Sequence, residues 1–255
     1  MSKINQSFAF GCFHRKETPV ERLFQEAARA GYAAVEMLGQ QYWDAARAAG
    51  LRIAIIGGHG TLRSGLNQRE NHDRIEEELL KNIDLAAANN IPGLICFTGD
   101  RYAGKSDDEC LDISAEGLSR VAKAAEQKGI NLCVELLNSK VDHPGYQCDT
   151  SAYGVELCKR VGSPRVKLLF DIYHMQIMEG DLIRNIRAYH DDIGHFHTAG
   201  NPGRRDMDET QEIYYPAVMR AIAETGYDLY VGHEFNPKGD PIEALKAAYR
   251  TCNVE

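Results

Sequence analysis

Residues 127–136 read QKGINLCVEL: a glycine that ends a helix, then a short apolar strand carrying a carboxylate near its end. The same order of helix, glycine and strand recurs at 29–37 (RAGYAAVEM), 48–56 (AAGLRIAII) and 224–234 (ETGYDLYVGHE). Gly31, Gly50, Gly129 and Gly226 suit the left-handed position that follows a helix. The runs after them are mostly apolar, as parallel strands buried on both faces require. Outward from these junctions, β-branched and aromatic runs read as strands at 8–14, 33–38, 51–57, 93–98, 130–137, 166–174, 193–198 and 227–235. Amphipathic stretches between them read as helices near 19–30, 40–49, 71–90, 108–128, 150–161, 180–190, 211–225 and 240–252.

Eight strands and eight helices in strict alternation, with no linker, fit one α/β barrel in a chain of 255 residues. The expected fold class is therefore α/β, a single (β/α)8 TIM barrel, with residues 1–255 as one domain. The longest irregular stretches, 58–69, 138–149 and 200–210, all follow strands, where such a barrel builds its catalytic face. The glycine cluster Gly57-Gly58-His59-Gly60 lacks the spacing of a dinucleotide fingerprint.

Hydrophobic residues make up 44% and charged residues 26%, the balance of an ordinary folded domain. With 29 Lys and Arg against 37 Asp and Glu, the net charge is −8, which argues against a nucleic-acid partner. No apolar run approaches the roughly 20 residues of a membrane span, so no membrane partner is expected. The polar start, Met1 to Gln6, leads straight into a strand-like run with no visible secretory leader. Cys12, Cys96, Cys110, Cys133, Cys148, Cys158 and Cys252 are odd in number and lack C-x-x-C spacing. They fit reduced thiols and a cytoplasmic protein.

The last four strands read CVELL (133–137), LLFDIYH (168–174), HFHT (195–198) and VGHEF (231–235). A carboxylate among apolar residues is costly to bury unless it is paired or metal-bound. One divalent cation bound by Glu135, Asp171, His197 and Glu234 is the simplest single explanation. The competing reading makes each a strand-end hydrogen-bonding group. Three carboxylates and an imidazole suit Mn²⁺, Mg²⁺ or Co²⁺, with Zn²⁺ also admissible. His195 and His197 face the same side of their strand. His197, nearer the end, is taken as the ligand and His195 as packed behind it. Glu36, also on a strand, reads as a group behind the ligands, a sugar contact or a structural residue. His233 should face away from Glu234, toward the helices.

His174 on a loop edge, and His14 and His59 after strands 1 and 3, are expected at the mouth as substrate contacts, with plain loop residues as the competing reading. Arg204, seven residues beyond His197, is placed to bind substrate oxygens or an anionic group, with Arg205 as runner-up. Trp43 and the 58–69 loop are expected to shape specificity. Asp107, Asp108 and Glu109 favour the dipole of the helix they begin. His72, His143 and His190 read as loop or helix surface.

The segment LLFDIYHMQIMEGDLIRNIRAYHDDIGHFHTAGNPGR (168–204), with VELLN (134–138) and GHEFNP (232–237), carries a resemblance. The whole chain resembles the xylose isomerase-like TIM-barrel superfamily, and within it the hydroxypyruvate isomerase and D-tagatose/D-psicose 3-epimerase families. The resemblance implies one divalent cation held from strands 5 to 8, on the same Glu135, Asp171, His197 and Glu234. It makes Glu135 and Glu234 the acid/base pair and His174 and Arg204 substrate contacts. The chain departs from the hydroxypyruvate isomerases at His197, where they carry a Gln and the 3-epimerases a His. The segment RRDMDETQEIYYP (204–216) also differs from their short acidic loop.

The implied activity is isomerisation or epimerisation of a small sugar or keto acid, by proton transfer through a metal-stabilised enediolate. A proton returned to the neighbouring carbon isomerises; one returned to the opposite face of the same carbon epimerises. The alternative is a metal-dependent lyase of the same superfamily, a dehydratase or an enzyme cleaving an oxidised C-glycoside. A metal-dependent nuclease is opposed by the charge, and a sugar-binding barrel without turnover by the presence of both glutamates. The sugar, its phosphorylation and association into a homo-oligomer stay open.

Overall fold

The computed structural model describes residues 4–254. Its elements run β1 (Asn5–Phe8), α1 (Phe10–Phe13), α2 (Val20–Ala30), β2 (Ala34–Val35), α3 (Trp43–Ala48), β3 (Arg52–Ile53), β4 (Ile56–Gly57), α4 (His72–Ala88), β5 (Gly93–Cys96), α5 (Asp107–Lys128), β6 (Asn131–Glu135), α6 (Ser151–Val161), β7 (Val166–Asp171), α7 (Ile172–Met178), α8 (Leu182–Tyr189), β8 (Ile193–Thr198), α9 (Tyr215–Glu224), β9 (Tyr230–His233) and α10 (Pro241–Cys252). The order is the βα alternation read from the sequence, and every strand pairing given by register is parallel. Gly31, Gly50, Gly129 and Gly226 all have positive φ, between 71° and 112°. Glycine adopts this region without the Cβ clash that other residues meet, so the four junctions end their helices as expected.

The chain divides into two compact units. The first comprises the described residues up to Ala54, Asp181–His190 and those from Phe196 onward. In it β1 pairs with β9 (Ser7 opposite Gly232), β9 with the end of β8 (His197 opposite Gly232), and β2 with β3. Backbone bonds Ala33 N–H to Gln6 and Glu36 N–H to Phe8, both 2.9 Å, tie β2 to β1. Phe8 packs edge-on against Phe13 and Tyr32, and Phe13 against Phe235, which forms an aromatic core under this sheet.

The second unit comprises Ile55–Gly180 and Asp191–His195. Here β4, β5, β6 and β7 pair in sequence order. Helix α5 begins with a capping box: Ser106 accepts from Glu109 N–H, and Glu109 bonds back to Ser106 N–H. The acidic run 107–109 thus forms its first turn, as expected.

The structure corrects several boundaries. The run 8–14 is not one strand: β1 ends at Phe8 and residues 10–13 form a helical turn that buries Phe10 and Phe13 three apart. The run 51–57 splits at Ala54–Ile55, because β3 pairs with β2 and β4 with β5. The run 166–174 ends at Asp171, which caps the unforeseen helix α7 by accepting from His174 N–H at 3.1 Å. His174 therefore lies inside a helix, completely buried, rather than on a loop edge. His72 is buried too, bonded to Leu66 O at 2.8 Å, rather than on the surface. Trp43 is buried with its indole N–H on Leu38 O at 3.2 Å. Among the described residues no helix is long and apolar enough to cross a membrane.

Candidate functional site

In the first unit, the parallel register sets Ser7 and His197 on either side of Gly232. A Cβ at Gly232 would collide with the carboxylate of Glu36. The missing side chain is thus what lets a carboxylate occupy this interior position. Glu36 is completely buried; its Oε2 accepts from Ser7 Oγ at 2.7 Å, and its Oε1 lies 2.8 Å from His197 Nε2. The other ring nitrogen of His197, Nδ1, lies 3.0 Å from Glu234 Oε2. Glu234 follows the last residue of β9 and is bound to β8 by its own N–H on Thr198 O at 2.9 Å.

The same Glu234 oxygen accepts from Arg204 Nη2 at 2.7 Å. Arg204 sits at φ 54° directly after Gly203 at φ 94°, and its carbonyl accepts from Asn236 N–H at 2.9 Å. A tight, internally bonded loop therefore aims the guanidinium at Glu234. Arg205 turns elsewhere, toward Pro237 O at 3.4 Å. The Cys12 thiol is pushed up to about 12, mainly by burial and next by the negative charge of Glu234. His14, half-buried, follows α1 and stacks on Phe10 with ring centroids 4.6 Å apart. His233 faces away from this cluster, between Gln6 Oε1 at 2.9 Å and Thr198 Oγ1 at 2.7 Å.

In the second unit, Glu135 and Asp171 end the adjacent parallel strands β6 and β7, and both are buried. Tyr146 locks the end of β6: its hydroxyl donates to Glu135 O at 3.0 Å and accepts from Thr98 N–H at 3.2 Å. His174 Nδ1 lies 2.6 Å from Asn138 Nδ2, and its Nε2 lies 3.6 Å from Asp171 Oδ2. An amide nitrogen only donates, so Nδ1 accepts and Nε2 carries the ring proton. Asn138 is itself fixed, since its Oδ1 accepts the N–H groups of Val141 and Asp142. His59 is buried with Nδ1 at 2.9 Å from Gly60 O and Nε2 accepting from Phe97 N–H at 3.0 Å. Both its nitrogens are engaged by backbone. His195 is buried, as expected for a packed group.

Three contributors escaped the sequence reading: Ser7, Asn138 and the space above Gly232. Ser7 and Asn138 are small polar residues at strand ends, with no spacing signal of their own. Gly232 stands in a strand whose neighbours are His233 and Glu234, and a strand-interior glycine is a recognised sign of close approach.

The sequence profile of the xylose isomerase-like TIM barrel family matches residues 24–252. A 2-oxo-tetronate isomerase of Pectobacterium atrosepticum is 28% identical over 240 residues, 90% of this chain and 91% of that one. The hydroxypyruvate isomerase of Escherichia coli is 33% identical over 143 residues, 56% of this chain and 55% of that one. A Brucella melitensis crystal structure titled AP endonuclease, family 2, superposes with a TM-score of 0.80 at 26% identity, covering 95% of this chain and 97% of that one. The chain belongs to the xylose isomerase-like TIM barrel family and is an isomerase.

Proposed function

We propose that the chain is a divalent-metal-dependent isomerase that moves a proton beside the carbonyl of a small sugar or keto acid. Its ligands are Glu135, Asp171, His197 and Glu234, and Glu135 and Glu234 are the proton-transfer pair. The observation that carries this reading is the donor set. Glu135 and Asp171 end adjacent strands of one unit, and His197 and Glu234 lie 3.0 Å apart in the other; all but Glu234 are buried. Buried carboxylates call for compensation by a cation, and three oxygens with one nitrogen fit Mn²⁺ or Mg²⁺, with Co²⁺ or Zn²⁺ as further candidates. When bound, such a cation would act as a Lewis acid on an α-hydroxy carbonyl substrate.

The chain's own residues do the rest. The Arg204 guanidinium, 2.7 Å from Glu234, holds the carboxylate in place, and Glu234 accepts the proton. Glu135, its backbone held by Tyr146, returns one. His174, with its proton on Nε2, donates toward a substrate oxygen. His14 offers its ring to the same substrate, whereas His59 has no ring nitrogen left for it.

The relatives named for hydroxypyruvate and 2-oxo-tetronate isomerisation support a short keto acid as substrate. His197, where the hydroxypyruvate isomerases carry Gln, supports ketose 3-epimerisation as the second reading. A lyase would use the same groups but change the mass of the product. A net charge of −8 opposes a nuclease, whose backbone contacts need cationic residues. All seven cysteines are free thiols, which supports a cytoplasmic setting.

The test is a panel of hydroxypyruvate, 2-oxo-tetronate and three- to six-carbon ketoses and aldoses, with Mn²⁺ or Mg²⁺ added. An isomer of unchanged mass, seen by NMR, is the expected product. Loss of water would instead establish the lyase, and no conversion of any member would overturn the reading.

A further inference from the structure

Glu36 belongs to no part of the chemistry described so far, yet it is buried completely beside a histidine. Burying a carboxylate costs several kcal/mol unless its oxygens are satisfied. Here both are directed: Oε2 takes the Ser7 hydroxyl proton at 2.7 Å, and Oε1 faces His197 Nε2 at 2.8 Å. The position exists only because Gly232, opposite both Ser7 and His197 in the parallel register, has no side chain. Three strands thus cooperate to hold one anion against one edge of one imidazole.

Both ring nitrogens of His197 face a carboxylate, Nε2 that of Glu36 and Nδ1 that of Glu234. With Glu234 read as a ligand, Nδ1 is the nitrogen on the cation's side, and the ring proton belongs on Nε2, where Glu36 can accept it. We propose that Glu36 is a positioning residue: held by Ser7 and admitted by Gly232, it fixes the ring orientation and tautomer of His197 so that Nδ1 is presented to the divalent cation. The inference rests on the reading of His197 as a ligand. It adds that Glu36 and Gly232, neither of them among the four proposed ligands, set the affinity of the site. A carboxylate behind a ligating histidine also raises the basicity of the ring.

The experiment uses the full chain after dialysis against a chelator. Mn²⁺ is titrated in while the free ion is followed by electron paramagnetic resonance, for the wild type, Glu36→Gln, Glu36→Ala and Gly232→Ala. Removing such a partner typically weakens a metal site about 10- to 100-fold. Glu36→Ala is expected to reach the upper part of that range and Glu36→Gln, which keeps an acceptor oxygen, the lower part. Gly232→Ala keeps Glu36 but displaces its carboxylate, and is expected to behave like Glu36→Ala. Imidazole ¹⁵N spectra of the Zn²⁺-loaded wild type should show a protonated Nε2 on His197 and a metal-bound Nδ1. This readout stands even if Glu36→Ala fails to fold. A wild type that binds no Mn²⁺ would overturn the metal reading itself. A wild type that binds, with Glu36→Gln and Gly232→Ala binding equally well, would overturn only the role of Glu36. So would a His197 ring protonated on Nδ1 and metallated on Nε2.

Discussion

The ends of β8 and β9 and the ends of β4 and β5 each present a histidine, and the two are handled in opposite ways. His197 lies between two carboxylates, Glu36 at 2.8 Å and Glu234 at 3.0 Å. His59 lies between two backbone groups, donating through Nδ1 to Gly60 O and accepting through Nε2 from Phe97 N–H. Burial lowers the pKa of His59, so it serves as a neutral strut. His233, next in sequence to Glu234, is also gripped by neutral partners, an amide and a hydroxyl. Residue type and strand-end position are thus shared by all three. What separates the imidazole proposed as a ligand from the other two is the charge of the groups at its two nitrogens.

The largest effect should come from the two carboxylates proposed to move the proton. Glu234→Gln and Glu135→Gln keep an oxygen ligand but remove the titratable group. Each is expected to lower kcat by at least about 100-fold, on the scale of general acid–base catalysis. Steady-state rates and a far-ultraviolet spectrum, to confirm folding, check this. Next come the polar groups around the pair. Arg204→Ala and His174→Ala each remove a hydrogen bond involving charge, worth about 1.5–3 kcal/mol, or roughly 10- to 100-fold in kcat/KM. Metal content by elemental analysis should stay near that of the wild type, and its loss would move either residue among the ligands.

The strut side should respond in stability rather than chemistry. His59→Ala leaves the Phe97 N–H without its acceptor, a cost of about 1–3 kcal/mol, visible in urea unfolding, with metal content unchanged. Reduced metal binding in that variant would erase the contrast drawn above. The smallest expected effect is the pH dependence of this difference. The folded pKa of His59 lies below its ordinary value of 6.5. Its contribution is therefore present above 6.5 and is lost as pH falls toward the folded value. The stability gap between wild type and His59→Ala should narrow between pH 7 and pH 5. A gap that widens would show that the imidazole is charged in the fold.

The alternation of strands and helices was legible because apolar runs and helix-ending glycines repeat along the chain. Glu135, Asp171, His197 and Glu234 stood out because carboxylates and an imidazole are anomalous in buried strands. Helix α7 was hidden because Asp171 serves both as strand end and as helix cap, and its apolar neighbours satisfy either periodicity. The backbone bonds of His59 were not legible because nothing in GGHG tells whether the backbone will take both ring nitrogens. The clamp of Ser7, Glu36 and Gly232 on His197 depends on register between strands far apart in sequence. No local pattern encodes that register.

The central claim is that Glu135 and Glu234 move a proton beside a substrate carbonyl. The most direct measurement is turnover of the substrate found in the panel, by the Mn²⁺- or Mg²⁺-supplied protein in D₂O, with the product read by NMR and mass. The account predicts deuterium on the carbon next to the carbonyl, lost together with turnover in the Glu234→Gln protein. Product formed with no carbon-bound deuterium, and with the substrate's own hydrogen completely transferred, would contradict it and indicate a hydride shift instead.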